Sequence, residues 1–260
     1  MLNSMSRGSD YPLTGNFLAG RLRTTLASED LNYIEDLIED SSSLTDAEVL
    51  IERGQRADIS AILVKGFMFR TIERYDKRFI VGIHVPGDFV DLHSFALKRL
   101  DHNVVAAGKA IVGTVSHRRI EQAMGERPRI ARALWFATLL DAAIHRQWIL
   151  MHEQLDAPRR IAHIYCELHY RLETVGLASA RAIRTPFTQL DLADMIGASA
   201  VHTNRAVGKL REIELAQIRR GTLYPMDWKA LRDYAQFDAA YLYGNGPLLL
   251  NEGWDAAPVT

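Results

Sequence analysis

From Glu126 to Gln154 the apolar residues return every seventh position, and no other feature constrains the chain as tightly. With Ile130 at position a, the a positions hold Ile130, Ala137, Ile144 and Met151, and the d positions hold Leu134, Asp141, Trp148 and Leu155. All of these but Asp141 are apolar or small. A helix of about 28 residues at ~1.5 Å per residue is about 42 Å long, too long to lie along a small neighbour without projecting. The repeat therefore predicts a seam that meets a second copy of itself, a homodimer. An amphipathic helix packed on its own chain is the alternative, and the charge of Asp141 within the seam favours it.

Upstream of this helix the period is that of strands. Residues 17–40 read as an opening helical segment capped at Ser28, with Leu31, Ile34, Leu37 and Ile38 at helical spacing. Apolar runs then follow at 49–51, 59–64, 67–72, 79–85, 104–107 and 110–116. Arg53-Gly54-Gln55, Lys65-Gly66, Tyr75-Asp76-Lys77 and Pro86-Gly87-Asp88 read as the turns between them. About seven short strands at regular spacing predict a small antiparallel barrel or jelly roll. Downstream, Pro158 reads as the end of the long helix, and Arg159 to Thr174 as a further helix with Ile161, Ile164, Tyr165, Leu168 and Leu172 on one side.

The segment after residue 185 is the most specific. Thr188 and Asp191 have the spacing of a helix cap, with Leu190, Ala193 and Ile196 available for the core. Gly197 suits the left-handed stop, and Ser199 caps a second helix to about Arg211. On that helix Thr203, Val207 and Leu210 face inward, while Val201, His202, Arg205 and Lys209 face outward. A short helix, a glycine turn and a helix with a cationic face form a helix-turn-helix, which places its second helix in the major groove. Residues 216–224, turning at Arg219-Arg220-Gly221, read as a basic β-hairpin wing suited to phosphate. The chain carries 31 Lys and Arg against 32 Asp and Glu, so net charge alone cannot hold it on a polyanion. Residues 158–237 nevertheless hold 12 Lys and Arg against 8 Asp and Glu.

At these residues the chain resembles the Crp/Fnr family of transcription regulators, over about residues 17–237. The resemblance rests on Val85-Pro86-Gly87-Asp88-Phe89, the long helix, Gln189 to Ser199, and His202-Thr203-Asn204-Arg205 with Leu210-Arg211, in that order. It implies an α+β chain with a β-roll sensor at 17–125, a dimerisation helix at 126–157 and a winged helix-turn-helix at 158–237; the tail, 238–260, is left without a role. It implies a homodimer that reads a palindromic duplex, and contact with RNA polymerase if the protein activates. Thr188, Gln189, Ser199, Val201, His202, Asn204, Arg205, Lys209, Arg219 and Arg220 become the DNA-facing residues. Arg205 stands where the family reads guanine, a bidentate match of guanidinium to two acceptors; an ion pair with Asp191 or Asp194 is its structural alternative. Val201 suits a thymine methyl, and His202 a phosphate.

The effector pocket is expected around Asp91, Leu92, His93, His102 and Asn103. The family's cyclic-nucleotide cassette needs a Glu for the ribose and an Arg with Ser or Thr for the phosphate, and Leu92, His102 and Asn103 stand in those places. A buried phosphate would lack its compensating charge, so no cyclic nucleotide and no cofactor is expected. The cysteine cluster of the oxygen-sensing branch has no counterpart in residues 1–16, and the one cysteine, Cys166, reads as a buried small hydrophobe. His84, His93, His102 and His117 show no metal-ligand spacing. No phosphate loop or nucleophile elbow marks an enzyme. Residues 1–16 lack the pattern of a signal peptide, and no apolar run reaches ~18 residues, so a cytoplasmic protein with no membrane partner is expected. The rival reading is a ligand-binding barrel that regulates a protein partner.

Overall fold

A computed structural model describes residues 10–244. Five strands, β1 (Asp40–Leu44), β2 (Val49–Ile51), β3 (Ile59–Arg74), β4 (Lys77–His84) and β5 (Asn103–Ser116), form one antiparallel sheet. Its order is β1-β5-β3-β4, with β2 on the other half of β5. Two long strands replace what the sequence read as two pairs of short ones. Gly66 and Gly108 both have positive φ, and the β3–β5 register jumps from Lys65–Ile111 to Phe67–Ala107 between them. These glycines bend continuous strands rather than ending them, and a Cβ on Gly66 would strike the Lys109 carbonyl. Strand β1, Asp-Ser-Ser-Ser-Leu, buries only Leu44 and so offers no alternation to read. The roll is filled by Leu44, Leu63, Met68, Val90, Leu100, Val104 and Val112, among others.

The helices are α1 (Ser28–Asp36), the single turn α2 (Ser94–Leu97), α3 (His117–Glu126), α4 (Pro128–Gln154), α5 (Ala157–Thr174), α6 (Gln189–Ile196), α7 (Ala200–Glu212) and α8 (Trp228–Tyr234). The expected opening helix shrinks to α1, which follows a short 3-10 turn at Leu22–Thr25, and Ala27 rather than Ser28 is its N-cap. Helix α3 escaped the sequence reading, since only His117, Ile120 and Ala123 are buried along it. The long helix stops at Gln154, and Pro158 sits in the first turn of α5 behind the Asp156 cap rather than ending α4.

The heptad residues do not face outward. Ile130 and Leu134 join Phe17, Leu22, Ile34 and Ile120 in one core. Ile144, Trp148, Met151 and Leu155 join Ile161, Tyr165, Leu192 and Met195 in another, and Ala137 is half-buried beside the first. The expected dimer seam is thus occupied by the chain itself, because α4 is the shared wall of two cores. Asp141 accepts from Arg70 Nη1 at 2.6 Å, so a charged side chain at a d position meets a buried guanidinium of the same chain. A second stripe on α4 lies bare: Trp135, Leu139, Ile149 and Leu150 are 65%, 51%, 65% and 52% exposed.

Candidate nucleic-acid interface

The α6–α7 unit follows its local chemistry closely. Thr188 Oγ1 accepts from Asp191 N, and Asp191 Oδ2 accepts from Thr188 N and Oγ1 at 2.7 Å each, a reciprocal cap. Gly197, at φ 65°, closes α6. Ser199 caps α7 through His202 N, and its Oγ lies 2.9 Å from His202 Nδ1. Thr203, Ala206 and Leu210 anchor α7 in the core; Val207 is only half-buried. Leu190, expected in the core, is 60% exposed, because Leu192, Ala193, Met195 and Ile196 take up the buried side of this eight-residue helix.

The expected DNA-facing residues all lie at the surface. Thr188, Gln189, Ser199, Val201, His202, Asn204, Arg205, Lys209, Arg219 and Arg220 are all exposed. The wing strands β6 (Ala216–Arg219) and β7 (Thr222–Pro225) turn through Arg220 and Gly221. Gln189, Asn204, Arg211, Gln217 and Arg219 line a polar groove between α7 and the wing. Asp191 and Asp194, the two carboxylates considered as partners for Arg205, are both held by Arg78 of β4, at 2.5 and 2.7 Å. Arg205 makes no ion pair among the described residues.

Comparison with known proteins agrees with this geometry. The family model described as a Crp-like helix-turn-helix domain matches residues 159–234. The transcriptional activator protein FnrL of Cereibacter sphaeroides is 26% identical over 190 residues, covering 71% of this chain and 75% of that one. Residues 159–234 are thus a Crp-like helix-turn-helix domain, and the chain as a whole is similar to transcription regulators of the Crp/Fnr type. Among solved structures, FixK2 from Bradyrhizobium japonicum superposes with a TM-score of 0.69 at 22% identity, covering 76% of this chain and 98% of the other. TTHB099, a CRP-family transcriptional regulator from Thermus thermophilus, superposes at 0.60 with 17% identity, covering 75% and 97%. These last two show the shared fold: an antiparallel β-sheet domain, a long helix and a helix-turn-helix.

The residues expected around an effector part company. Leu92 and His93 line a narrow cleft, partly open to solvent, together with Arg21, Arg70, His84, Asp88, Asp141 and Arg171. Asp91 is outside it, fully buried, accepting from Ala61 N at 2.7 Å and Ser94 Oγ at 3.0 Å. His102 is buried with Nδ1 2.7 Å from Asp101 and its ring 5.3 Å from that of His93. Asn103 Oδ1 accepts from Arg53 N. Sequence reasoning missed Arg70, whose strand position gives no sign that it points inward. Its guanidinium is committed to Asp141 and to the Val90 carbonyl, while its Nε and His84 Nε2 have no hydrogen-bond partner among the described residues.

Burial lowers His84 to about 4 and His93 to about 3, with the Arg70 charge adding to both, so these imidazoles are neutral at physiological pH. Burial alone would raise Asp88, but Arg171, 2.5 Å away, holds it well below the usual carboxylate range. Burial pushes the Cys166 thiol up to about 12. Among the described residues no group of His, Cys, Asp or Glu is arranged to hold a metal ion, and no helix is long and apolar enough to cross a membrane. Tyr241 donates to Glu167 and Leu242 is fully buried, so this part of the tail packs on α4 and α5. Leu248, Leu249 and Leu250 lie outside the described residues.

Proposed function

We propose that the protein is a cytoplasmic homodimer that reads a palindromic duplex with one α7 helix in each half-site and acts by binding rather than by turnover. The observation that carries this reading is the exposed face of α7, on which Arg205 has no ion pair among the described residues while Asp191 and Asp194 are neutralised by Arg78. A planar fork free of intramolecular partners suits the two acceptors of guanine, and Val201 beside it suits a thymine methyl. Gln189, Ser199 and His202 offer donors for phosphate on this exposed surface, and Thr188, whose hydroxyl is spent on Asp191, fixes the start of α6 beside them. Lys209, Arg219 and Arg220 add charge. The bare stripe of Trp135, Leu139, Ile149 and Leu150 supports a helix-to-helix dimer, and it takes the place of the heptad seam in that role. If the regulator activates, RNA polymerase is its further partner.

The sensor does not take a cyclic nucleotide in this reading. Leu92 offers nothing to a ribose hydroxyl, His102 already meets Asp101, and the guanidiniums lining the cleft are engaged, Arg70 by Asp141, Arg171 by Asp88 and Glu167, and Arg21 by the Leu242 carbonyl. The test of the DNA reading is a pair of substitutions measured against an operator selected from random duplexes. Arg205→Ala should lower specific affinity by about 1–3 kcal/mol and relax the preference at one base pair per half-site. Arg220→Ala should weaken specific and nonspecific duplexes alike. An unchanged ratio of specific to nonspecific affinity in Arg205→Ala would overturn the assigned orientation of α7.

A further inference from the structure

Helix α6 is fixed at both ends by arginines from outside the helix-turn-helix. At its C-terminal end, Arg160 Nη1 donates to Ile196 O at 2.9 Å, while Nη2 and Nε donate to His152 O and Leu155 O at the end of α4. In its first turn Arg78 Nη2 donates to Asp191 Oδ1, and one turn further on Arg78 Nε donates to Asp194 Oδ2. Arg78 belongs to the sensor sheet, more than a hundred residues away in sequence. The two acids sit three apart, which puts them on one side of the helix, within the span of one guanidinium fork. Asp191 Oδ2 is meanwhile the acceptor for Thr188, so the sensor, Asp191 and the phosphate-facing start of α6 form one continuous chain of bonds.

A helix pinned at one end can pivot, whereas one pinned at both ends has a direction. Helix α7 packs on α6 across a tight glycine turn, and therefore inherits that direction. Phe67 and Phe69, packed on Phe187 at ring distances of 5.4 and 5.1 Å, bring the sheet against the segment leading into α6 but leave its rotation open. We propose that Arg78 is a positioning residue for DNA reading: by clamping Asp191 and Asp194 it transmits the orientation of the sensor sheet to α6 and sets the angle and separation at which the two α7 helices of a dimer meet their half-sites. A sensor that shifts β4 relative to α4 thereby re-aims the reading helices without touching DNA.

This inference rests on the two-half-site reading above, and one experiment separates the two. Affinities are measured for the selected palindrome, for the same palindrome with its spacer changed by one base pair in either direction, and for a single half-site. The proteins are the unmodified chain, Arg78→Ala, and the exchanged pair Arg78→Asp with Asp194→Arg. In Arg78→Ala the palindrome should lose about tenfold and the spacer preference should flatten, while the single half-site changes by less than about threefold. The exchanged pair, which rebuilds the link with reversed charge, should recover most of the preference. A uniform loss on every duplex would mean that Arg78 merely neutralises two acids near the phosphates, and an unchanged spacer preference would mean that the clamp does not aim α7; either overturns the proposal. Unmodified protein that binds one half-site as well as two would instead overturn the dimeric reading on which it stands.

Discussion

Asp91 lies beneath the sheet with no exposed atom, and burial pushes its carboxyl up to about 7 despite the bonds from Ala61 and Ser94. Between the ordinary carboxylate range and 7 the folded chain holds a proton that the unfolded chain has released, so this group makes stability fall as pH rises through that window and then level off. Asp91→Asn keeps an acceptor for Ala61 N and has no proton to lose. In urea titrations the variant should gain on the unmodified protein from pH 5 to 7, by at most about 1.4 kcal/mol per pH unit, and hold that gain above 7. A difference that stays constant from pH 5 to 8 would contradict the assignment. The neutral histidines of the cleft favour the folded state above their ordinary range and lose that contribution as pH falls toward 4, but they do so equally in both proteins and cancel. Residues of this kind are poorly legible in a sequence, because Asp91, Arg70 and Arg78 owe their state to partners far along the chain. Thr188, Gly197 and Ser199 were legible because a cap is made within four residues.

Helix α4 shows how much an element's pattern leaves open. Its heptad was correctly read as a helix, yet an apolar stripe does not say whose core it enters, and here Ile130, Leu134, Ile144 and Trp148 enter their own. The second stripe, through Trp135, Leu139 and Ile149, is interrupted by Arg146, and of the two tryptophans that read as packing residues on this helix only Trp148 is buried, Trp135 being exposed. The two stripes give opposite expectations for charge. Leu139→Glu with Ile149→Glu should give a folded monomer in sedimentation equilibrium, with little change in thermal midpoint. Trp148→Glu, which buries a charge beside Glu167, should instead destabilise the fold by several kcal/mol, on the order of 3–5. A dimer that survives the first pair of substitutions would refute the bare stripe as the interface. Among the strands, turn and bulge look alike in sequence, since both call for glycine at positive φ; only the pairing of β3 with β5 tells them apart.

At the scale of the whole molecule, the order of sheet, long helix and helix-turn-helix was readable, whereas the joints between them were not. The β-sheet domain is tied to the helices that follow α4 by Asp88–Arg171 and Arg78–Asp191/Asp194, pairs 83 to 116 residues apart. The central claim is that two copies together read one duplex. It is tested most directly by measuring the mass of the complex on the selected palindrome and its affinity across a range of salt concentrations. Two chains per duplex are expected, with log affinity falling against log salt with a slope of about −5, as Lys209, Arg219 and Arg220 of both copies displace counterions. A single chain per duplex, or an affinity indifferent to salt, would contradict the account.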